Sequence, residues 1–167
     1  MKIFNIVLFI AITVILSCCT IKIETHNDTD RVITGAEQLF EPKYFSLIQG
    51  KRVALVTNHT GLLPNGVHLA DTLHGHPETE LTLLFGPEHG IRGDADAHVS
   101  DGTDQSTGLP VISLYGKVRK PTPEMLEDID VLIFDIQDIG ARFYTYIATM
   151  RHVLEAAAEK NVPYVVL

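Results

Sequence analysis

DVLIFDIQDIG, residues 130–140, is the stretch that indicates the fold class. Residues 131–134 are apolar without interruption, and such a run is typical of a strand in a parallel sheet that is covered on both faces. Polar side chains follow at once, at Asp135, Gln137 and Asp138. Because ligands of open α/β sheets bind beyond the carboxyl ends of the strands, this stretch predicts a buried strand and one border of a binding site.

Four other stretches resemble it and alternate with helical patterns. The other predicted strands are KRVALVTN (51–58), ETELTLLFGP (78–87), LPVISLYG (109–116) and PYVVL (163–167). The predicted helices lie in residues 35–50 (one or two short helices), 65–77, 121–129 (a short helix) and 143–161. This alternation predicts an α/β, Rossmann-like, doubly wound and mainly parallel sheet with helices on both faces. The order of the strands does not follow from the sequence.

Apolar residues at helical spacing predict which helix faces turn toward the sheet. They are Val67, Leu69, Ala70 and Leu73 in the helix at 65–77, and Ile147, Met150, Leu154 and Ala158 in the long helix. The histidines in or beside these helices are interpreted as surface residues, namely His68, His74, His76 and His152.

The first twenty residues have the pattern of a lipoprotein signal peptide. One lysine precedes an apolar run from Ile6 to Leu16, which is short for a transmembrane helix, and small residues and two cysteines follow. Residues 15–18 resemble a lipobox, which makes Cys18 the lipidated residue. Lipidation of Cys19 and an uncleaved membrane anchor are the alternatives.

The predicted organisation is a signal peptide with its lipobox in residues 1–19, a polar tether in residues 20–34, and a Rossmann-like catalytic domain in residues 35–167. We expect an exported protein, periplasmic or on the cell surface, that a lipid tethers to the membrane. No cysteine lies beyond Cys19, so the domain has no internal disulfide and no thiolate catalysis. The sequence stops inside its fifth predicted strand, and we therefore expect the domain to be incomplete.

The charge of the chain excludes some classes of partner. The formal net charge is −8, and the Lys and Arg residues are scattered. Nucleic acids and anionic membrane surfaces are bound by clusters of basic residues, so neither a nucleic-acid partner nor a polybasic membrane patch is predicted.

FGPEHGIRG, residues 85–93, places two titratable groups, Glu88 and His89, directly behind a predicted strand. A carboxyl group that is partly removed from water holds its proton more firmly and can act as a general acid. Glycoside hydrolysis uses a pair of carboxyl groups, and Glu88 with Asp135 or Asp138 can supply them.

The polar groups that follow the predicted strands are expected to converge at one edge of the sheet. They are Thr57, Asn58, His59, Glu88, His89, Arg92, Tyr115, Asp135, Gln137, Asp138, Arg142 and Tyr144. An arginine can bind a carboxylate through two hydrogen bonds, and Tyr144 and Tyr146 can offer ring faces to a sugar. Structural roles are the alternative: Glu88 caps a helix or ties its loop, and the two aspartates cap the next helix and pair with Arg142.

Neither a nucleotide cofactor nor a metal ion is predicted. The stretch after the first strand, TNHTGLLPNG (57–66), lacks both a GxGxxG pattern and a Walker lysine. His59, His89 and His98 could hold a metal ion together with Glu88, but no fixed spacing such as HExxH supports this. The long glycine-rich stretch between the second and third strands is typical of a functional loop.

Four motifs in this order resemble a family of bacterial exo-β-N-acetylmuramidases, long catalogued as a domain of unknown function. They are VALVTNHTGL (53–62), LLFGPEHGIRG (83–93), LPVISLYG (109–116) and DVLIFDIQDIGARFYTYIATM (130–150). The resemblance covers about residues 36–167. It implies a two-domain protein with a Rossmann-like N-terminal domain and an active site between the domains. The implied reaction releases terminal N-acetylmuramic acid from the non-reducing ends of peptidoglycan fragments.

The resemblance also implies roles for individual residues. It makes Glu88 of the GPEHG motif the general acid and places Asn58 and His59 at the sugar pocket. It places the remaining polar residues beside that pocket, namely Asp135, Gln137, Asp138, Arg142 and Tyr144. The predicted catalytic residues are Glu88, His89 and Asp138, whereas the others, with Arg92, are predicted to bind substrate. The lactyl carboxylate of N-acetylmuramic acid is the expected partner of Arg142 or Arg92.

The chain departs from the family at its end, where the second domain is absent from the sequence. We expect part of the pocket to be missing with it. Retention or inversion depends on a separation of carboxylates that the sequence does not give. Two readings of other classes remain: a non-catalytic glycan-binding lipoprotein with the same pocket, and a metal-dependent hydrolase that uses the histidines.

Overall fold

The structure, a computed structural model, describes residues 31–93 and 100–167. Ile33–Leu167 belong to one compact unit. The predicted signal peptide, the lipidated Cys18 and most of the predicted tether lie outside the described residues, as does His98. Within the described part of the chain, no helix is both long and apolar enough to cross a membrane.

One six-stranded sheet organises the domain. Its strands are β1 (Arg52–Thr57), β2 (Glu80–Gly86), β3 (Gly102–Thr103), β4 (Pro110–Ser113), β5 (Val131–Asp135) and β6 (Tyr164–Val166). They lie in the order β3-β4-β2-β1-β5-β6, and all neighbours are parallel except β3 and β4. The predicted α/β sheet is thus confirmed. The two-residue β3 was missed because residues 102–103 carry no apolar pattern.

The strand order places a topological switch point between β1 and β5. From β1 the chain moves outward to β2 and β4, and it then returns to the other side of β1 to form β5 and β6. Thr57 pairs with Asp135, so these two strands end side by side. Open α/β sheets bind ligands in the crevice at such a point.

Two apolar clusters cover the two faces of the sheet. Leu55 and Ile133 point into one cluster, and Val56 and Phe134, the next residues along the same strands, point into the other. Every one of these four side chains is at most 3% exposed, as expected for strands covered on both faces. The predicted doubly wound arrangement is therefore confirmed.

Helices supply the cover on each face. Those on the first face are α1 (Gly35–Gln38), α2 (Pro42–Phe45) and α3 (Leu69–Gly75), and α4 (Tyr146–Lys160) lies on the second. A capping box starts α1, with Thr34 and Glu37 exchanging hydrogen bonds. The short helix expected in residues 121–129 is a single 3₁₀ turn, Glu124–Leu126.

The predicted inward face of α4 is wrong by one position. The buried residues are Tyr146, Thr149, Val153, Ala156 and Ala157, whereas Ile147 and Leu154 are exposed. Both stripes have helical spacing, but the small side chains at 156 and 157 let the helix lie close to the sheet. In α3 the predicted Leu69, Ala70 and Leu73 are buried, while Val67 precedes the helix and is exposed.

Candidate active site

The loops after β1 and β5 meet at the switch point through one threonine. The Thr60 hydroxyl donates to Asn58 Oδ1 at 2.6 Å, and the Thr60 backbone N–H donates to the same oxygen at 2.9 Å. The same hydroxyl accepts the backbone N–H of Gln137 at 3.0 Å. Residues 77 positions apart are thereby joined at the carboxyl edge of the sheet.

Two polar atoms at this edge are buried without a hydrogen bond to any described residue. They are Asn58 Nδ2 and Asp135 Oδ2. Burial raises the pKa of Asp135 to about 6, because a carboxylate loses hydration there. Gly61 permits the crowding, since a Cβ at this position would overlap Thr57 Oγ1 and lie 3.1 Å from Asp135 Oδ2.

The predicted pair Glu88 and His89 forms the centre of a tight turn after β2. The Gly90 backbone N–H donates to Pro87 O at 3.1 Å, and His89 has φ 70°. A positive φ at the third position is typical of a type II turn, where glycine or asparagine is usual. Strained backbone of this kind is concentrated at functional sites.

Glu88 contacts Tyr115, which was expected at this edge of the sheet but was given no catalytic or binding role. A hydrogen bond and the charge of Glu88 raise the pKa of Tyr115, because both stabilise the protonated phenol. The sheet explains the contact: the Leu114 N–H donates to Gly86 O at 2.8 Å, so the chains leaving β2 and β4 run together. The available signal was the place of Tyr115 at the end of a predicted strand.

Arg92 is held by two carboxylates. Its guanidinium donates to Asp71 at 2.7 and 2.8 Å and to Asp104 at 2.8 and 2.9 Å. The Asp104 side chain is only 3% exposed, and the adjacent guanidinium holds the pKa of that carboxyl well below its usual range. This network ties the loop after β2 to α3 and to the segment between β3 and β4.

His68, interpreted from the sequence as a surface residue, is buried. Its Nδ1 accepts the Ala70 N–H at 3.2 Å, so Nε2 carries the proton and donates to Asn58 O at 2.9 Å. Burial lowers the pKa of His68, because the charged imidazolium would lose hydration. The histidine therefore serves as a neutral support beneath the loop after β1.

An open cleft of about 810 Å³ lies between the loop after β1 and the loop after β2, and none of its described lining residues comes from the loop after β5. His59 and His89 border it, and it extends toward Asp104 and the short β3. His59 packs on Gly93, where a Cβ would lie 2.9 Å from His59 Cβ. The close approach joins the loop after β1 to the loop that carries Glu88. Glu88 is not among the described residues that line the cleft.

A comparison with known proteins decides the family. The sequence pattern described as the N-terminal part of the exo-beta-N-acetylmuramidase NamZ matches residues 53–167. The chain belongs to the NamZ family. The match begins in β1 and includes all three loops that form the site.

Relatives of known sequence and structure agree with this membership in the NamZ family. The peptidoglycan beta-N-acetylmuramidase NamZ of Bacillus subtilis (strain 168) is 51% identical over 139 residues, which are 82% of this chain and 33% of that protein. Crystal structures of two DUF1343 family proteins from Bacteroides fragilis NCTC 9343 superpose with TM-scores of 0.73 and 0.68. They are 55% and 39% identical, over 80% and 82% of this chain and 33% and 34% of theirs. The chain thus spans about a third of the length of these relatives.

In this NamZ-family domain, the loop after β5 carries the remaining predicted residues. Asp138 is exposed, and its Oδ1 accepts the Gly140 N–H at 2.6 Å. Neither Asp135 nor Asp138 caps α4, whose N-cap is Thr145. Arg142 makes no ion pair with any described residue. The structural roles suggested for these residues are therefore not observed.

The aromatic residues at the start of α4 divide into exposed and buried ones. Tyr144 is 38% exposed and stays available to a ligand. Tyr146 is 8% exposed and belongs to the apolar core, so the expectation that its ring faces a sugar is wrong. The centroid of its ring lies 5.8 Å from that of Tyr144, and the two ring planes make an angle of 58°.

The described histidines do not lie close enough together to form a metal site. Among residues 31–93 and 100–167, no three His, Cys, Asp or Glu side chains are arranged to hold a metal ion. The alternative built on His59, His89 and His98 needs a residue that lies outside this part of the chain.

Proposed function

We propose that this chain is the N-terminal part of an exo-β-N-acetylmuramidase. Its reaction is the release of terminal N-acetylmuramic acid from the non-reducing ends of peptidoglycan fragments. The observation that carries the proposal is the meeting of three loops of a NamZ-family domain at one edge, with Glu88 at a strained turn. The proposal concerns the whole protein, because this chain corresponds to only about a third of the length of its relatives.

In the proposed mechanism Glu88 is the general acid. Its proton passes to the glycosidic oxygen, which leaves with the electron pair of the broken bond. The second carboxylate accepts the proton of the attacking water on an inverting path, or bonds to the sugar carbon on a retaining path in which water later displaces it. We assign the role of second carboxylate to Asp138, which is exposed, and His89 adds a second titratable group on the turn of Glu88.

The binding residues follow from their positions at the switch point. Asn58 and His59 follow β1, Asp135 ends β5, and Gln137 and Tyr144 follow it, so both strands present polar residues at the proposed sugar pocket, although Asn58 itself is fully buried. For the lactyl carboxylate we favour Arg142 over Arg92. Four N–H donors of Arg92 already bind Asp71 and Asp104, whereas Arg142 is exposed.

The choice of arginine is tested by sugar selectivity. Arg142→Ala is expected to raise KM for an N-acetylmuramic acid glycoside roughly 10- to 100-fold, the scale of a lost hydrogen bond to a charged group. The matching N-acetylglucosamine glycoside has no lactyl group, so its binding is expected to stay the same. An equal loss for both sugars would contradict the assignment.

The reaction itself is tested with the full-length protein, including the region that corresponds to the other two thirds of its relatives. Chromogenic β-glycosides of N-acetylmuramic acid and N-acetylglucosamine are offered separately. We expect release from the first alone. A folded protein that releases neither would point instead to a glycan-binding lipoprotein, and activity abolished by a chelator would point to a metal-dependent hydrolase.

We further propose that the protein is exported and anchored through a lipid on Cys18. The support is the charged start, the apolar run and the lipobox-like residues of the first twenty positions. Cys18→Ala is expected to abolish incorporation of a labelled fatty acid and to release the protein from the membrane fraction. Cys19→Ala is the matched control, and loss of label only in that variant would move the anchor by one residue.

A further inference from the structure

We propose that Thr60 is the positioning residue that sets the two sides of the site relative to each other. One side is the loop after β5, with Asp135, Gln137 and Asp138. The other is formed by the loop after β1 and the turn that carries Glu88. The kinetic part of this inference rests on the proposed function, whereas its structural part does not.

The hydroxyl of Thr60 uses both of its hydrogen-bonding capacities between these sides. It carries one proton and donates it to Asn58 Oδ1 at 2.6 Å. It accepts the backbone N–H of Gln137 at 3.0 Å. No other hydrogen bond between described residues joins the loop after β1 directly to the loop after β5. Without the hydroxyl, that N–H would lose its acceptor.

Thr60 also determines how the Asn58 amide is oriented. Oδ1 receives two donors from Thr60, so Nδ2 must point the other way, where it is buried without a partner among the described residues. Burying an unpaired donor costs free energy, roughly 1–3 kcal/mol. Fixing the oxygen toward Thr60 is what keeps the amide from rotating to relieve this cost.

The loop after β1 is firm enough to transmit the position of Thr60. Asn58 O accepts hydrogen bonds from His68 Nε2 at 2.9 Å and from the Gly61 N–H at 3.0 Å. His59, the intervening residue, packs on Gly93, which follows Glu88 in the same loop. A shift at Thr60 therefore changes the distance between Glu88 and the carboxylates after β5.

An ordinary local turn does not account for this arrangement. The bond from the Thr60 N–H to Asn58 Oδ1 spans two residues and is the local turn expected of an asparagine. It survives replacement of the side chain, because it uses only the backbone of residue 60. The bond to Gln137 does not survive, and among the described residues it is the one hydrogen bond that joins the loop after β1 to the loop after β5.

The test compares three variants of the full-length protein. Thr60→Val keeps the shape and removes the hydroxyl, and Thr60→Ser restores the hydroxyl. Thr79→Val is the matched control, because the half-buried Thr79 loses a 2.7 Å bond to Leu73 O near the amino end of β2, away from the site. Thr60→Ala replaces Thr60→Val should the latter fail to fold.

We expect Thr60→Val to lower kcat on the order of 100-fold, as small misplacements of reacting groups do, with a smaller change in KM. Its melting temperature should fall no further than that of Thr79→Val, and Thr60→Ser should recover most of the rate. Equal kcat in Thr60→Val and Thr79→Val would overturn the proposal. So would a rate in Thr60→Ser as low as in Thr60→Val.

Hydrogen exchange separates this inference from the proposed function. In Thr60→Val the backbone amides of the segment after β5 should exchange their hydrogens faster, while those of β1 and β5 stay protected from exchange. Unchanged exchange there would overturn the positioning role. If the parent protein hydrolysed neither glycoside, the proposed function would fail. The exchange result alone would then support or overturn the role of Thr60 in joining the two loops.

Discussion

Asp135 shows how one buried atom can make a whole domain sensitive to pH. Its Oδ2 has no hydrogen-bond partner among the described residues, and burial raises its pKa from 3.8 to about 6. The folded chain keeps this proton where the unfolded chain has already released it. Stability should therefore be fully present below about pH 4 and should decline as the pH rises to about 6.

Asp135→Asn removes this dependence. Relative to the variant, the parent is expected to lose about 3 kcal/mol of unfolding free energy between about pH 4 and pH 6, at about 1.4 kcal/mol per pKa unit. Urea unfolding at a series of pH values measures the difference. A difference that stayed constant across this range would show that Asp135 titrates normally.

The sequence indicated the position of most site residues but not their partners. Glu88 and Asp135 follow apolar runs, and the carboxyl ends of parallel strands meet at one edge. Burial of His68 was missed because its partner is a backbone carbonyl, which leaves no mark in the pattern of side chains. Thr60 was missed for a similar reason, since it binds a backbone N–H that lies 77 residues away.

At the scale of secondary-structure elements, the Arg92 network holds the loop after β2 in place. Arg92→Met would leave Asp104, which is 3% exposed, without its counter-charge. Removing one partner of a buried ion pair costs about 3–5 kcal/mol, so we expect a loss of this size at pH 7. Arg151→Met, which breaks the exposed pair with Glu155, should cost far less.

The effect of Arg92→Met should also depend on pH. The guanidinium depresses the pKa of Asp104. The stabilisation that the ion pair gives to the folded chain is therefore present above about pH 4 and is lost as the pH falls further. The two proteins should therefore approach each other in stability below about pH 4. Chemical unfolding at pH 7 and at a series of pH values from about 4 down to about 2 measures this, and a gap that did not shrink as the pH fell toward about 2 would contradict the electrostatic explanation.

Strands were easier to predict than helix faces. An apolar run such as residues 131–134 has one interpretation in an alternating α/β sequence, and β5 occupies it. The sequence of α4 offers two stripes at helical spacing, and the choice depends on how closely the sheet approaches. Ala156 and Ala157 decide it through their small size, which became apparent only when the sheet was in place.

At the scale of the whole molecule, the sheet brings three sequence-distant loops to one edge. The strand order places β1 between β2 and β5, so the loop after β1 touches both of its neighbours. Glu88 approaches from one side and the carboxylates after β5 from the other. The relatives are about three times as long, so we expect Ile33–Leu167 alone not to hydrolyse the muramic glycoside.

In the proposed reaction, Glu88 donates a proton to the leaving group. The most direct test measures kcat/KM of full-length Glu88→Gln on N-acetylmuramic acid glycosides whose leaving groups differ in acidity. The matched control is Glu80→Gln, which lies at the exposed opposite end of the same strand. We predict a loss of about 100- to 10,000-fold for poor leaving groups that shrinks for acidic phenols, which depart without a proton. An equal loss for every leaving group, or no loss at all, would contradict the account.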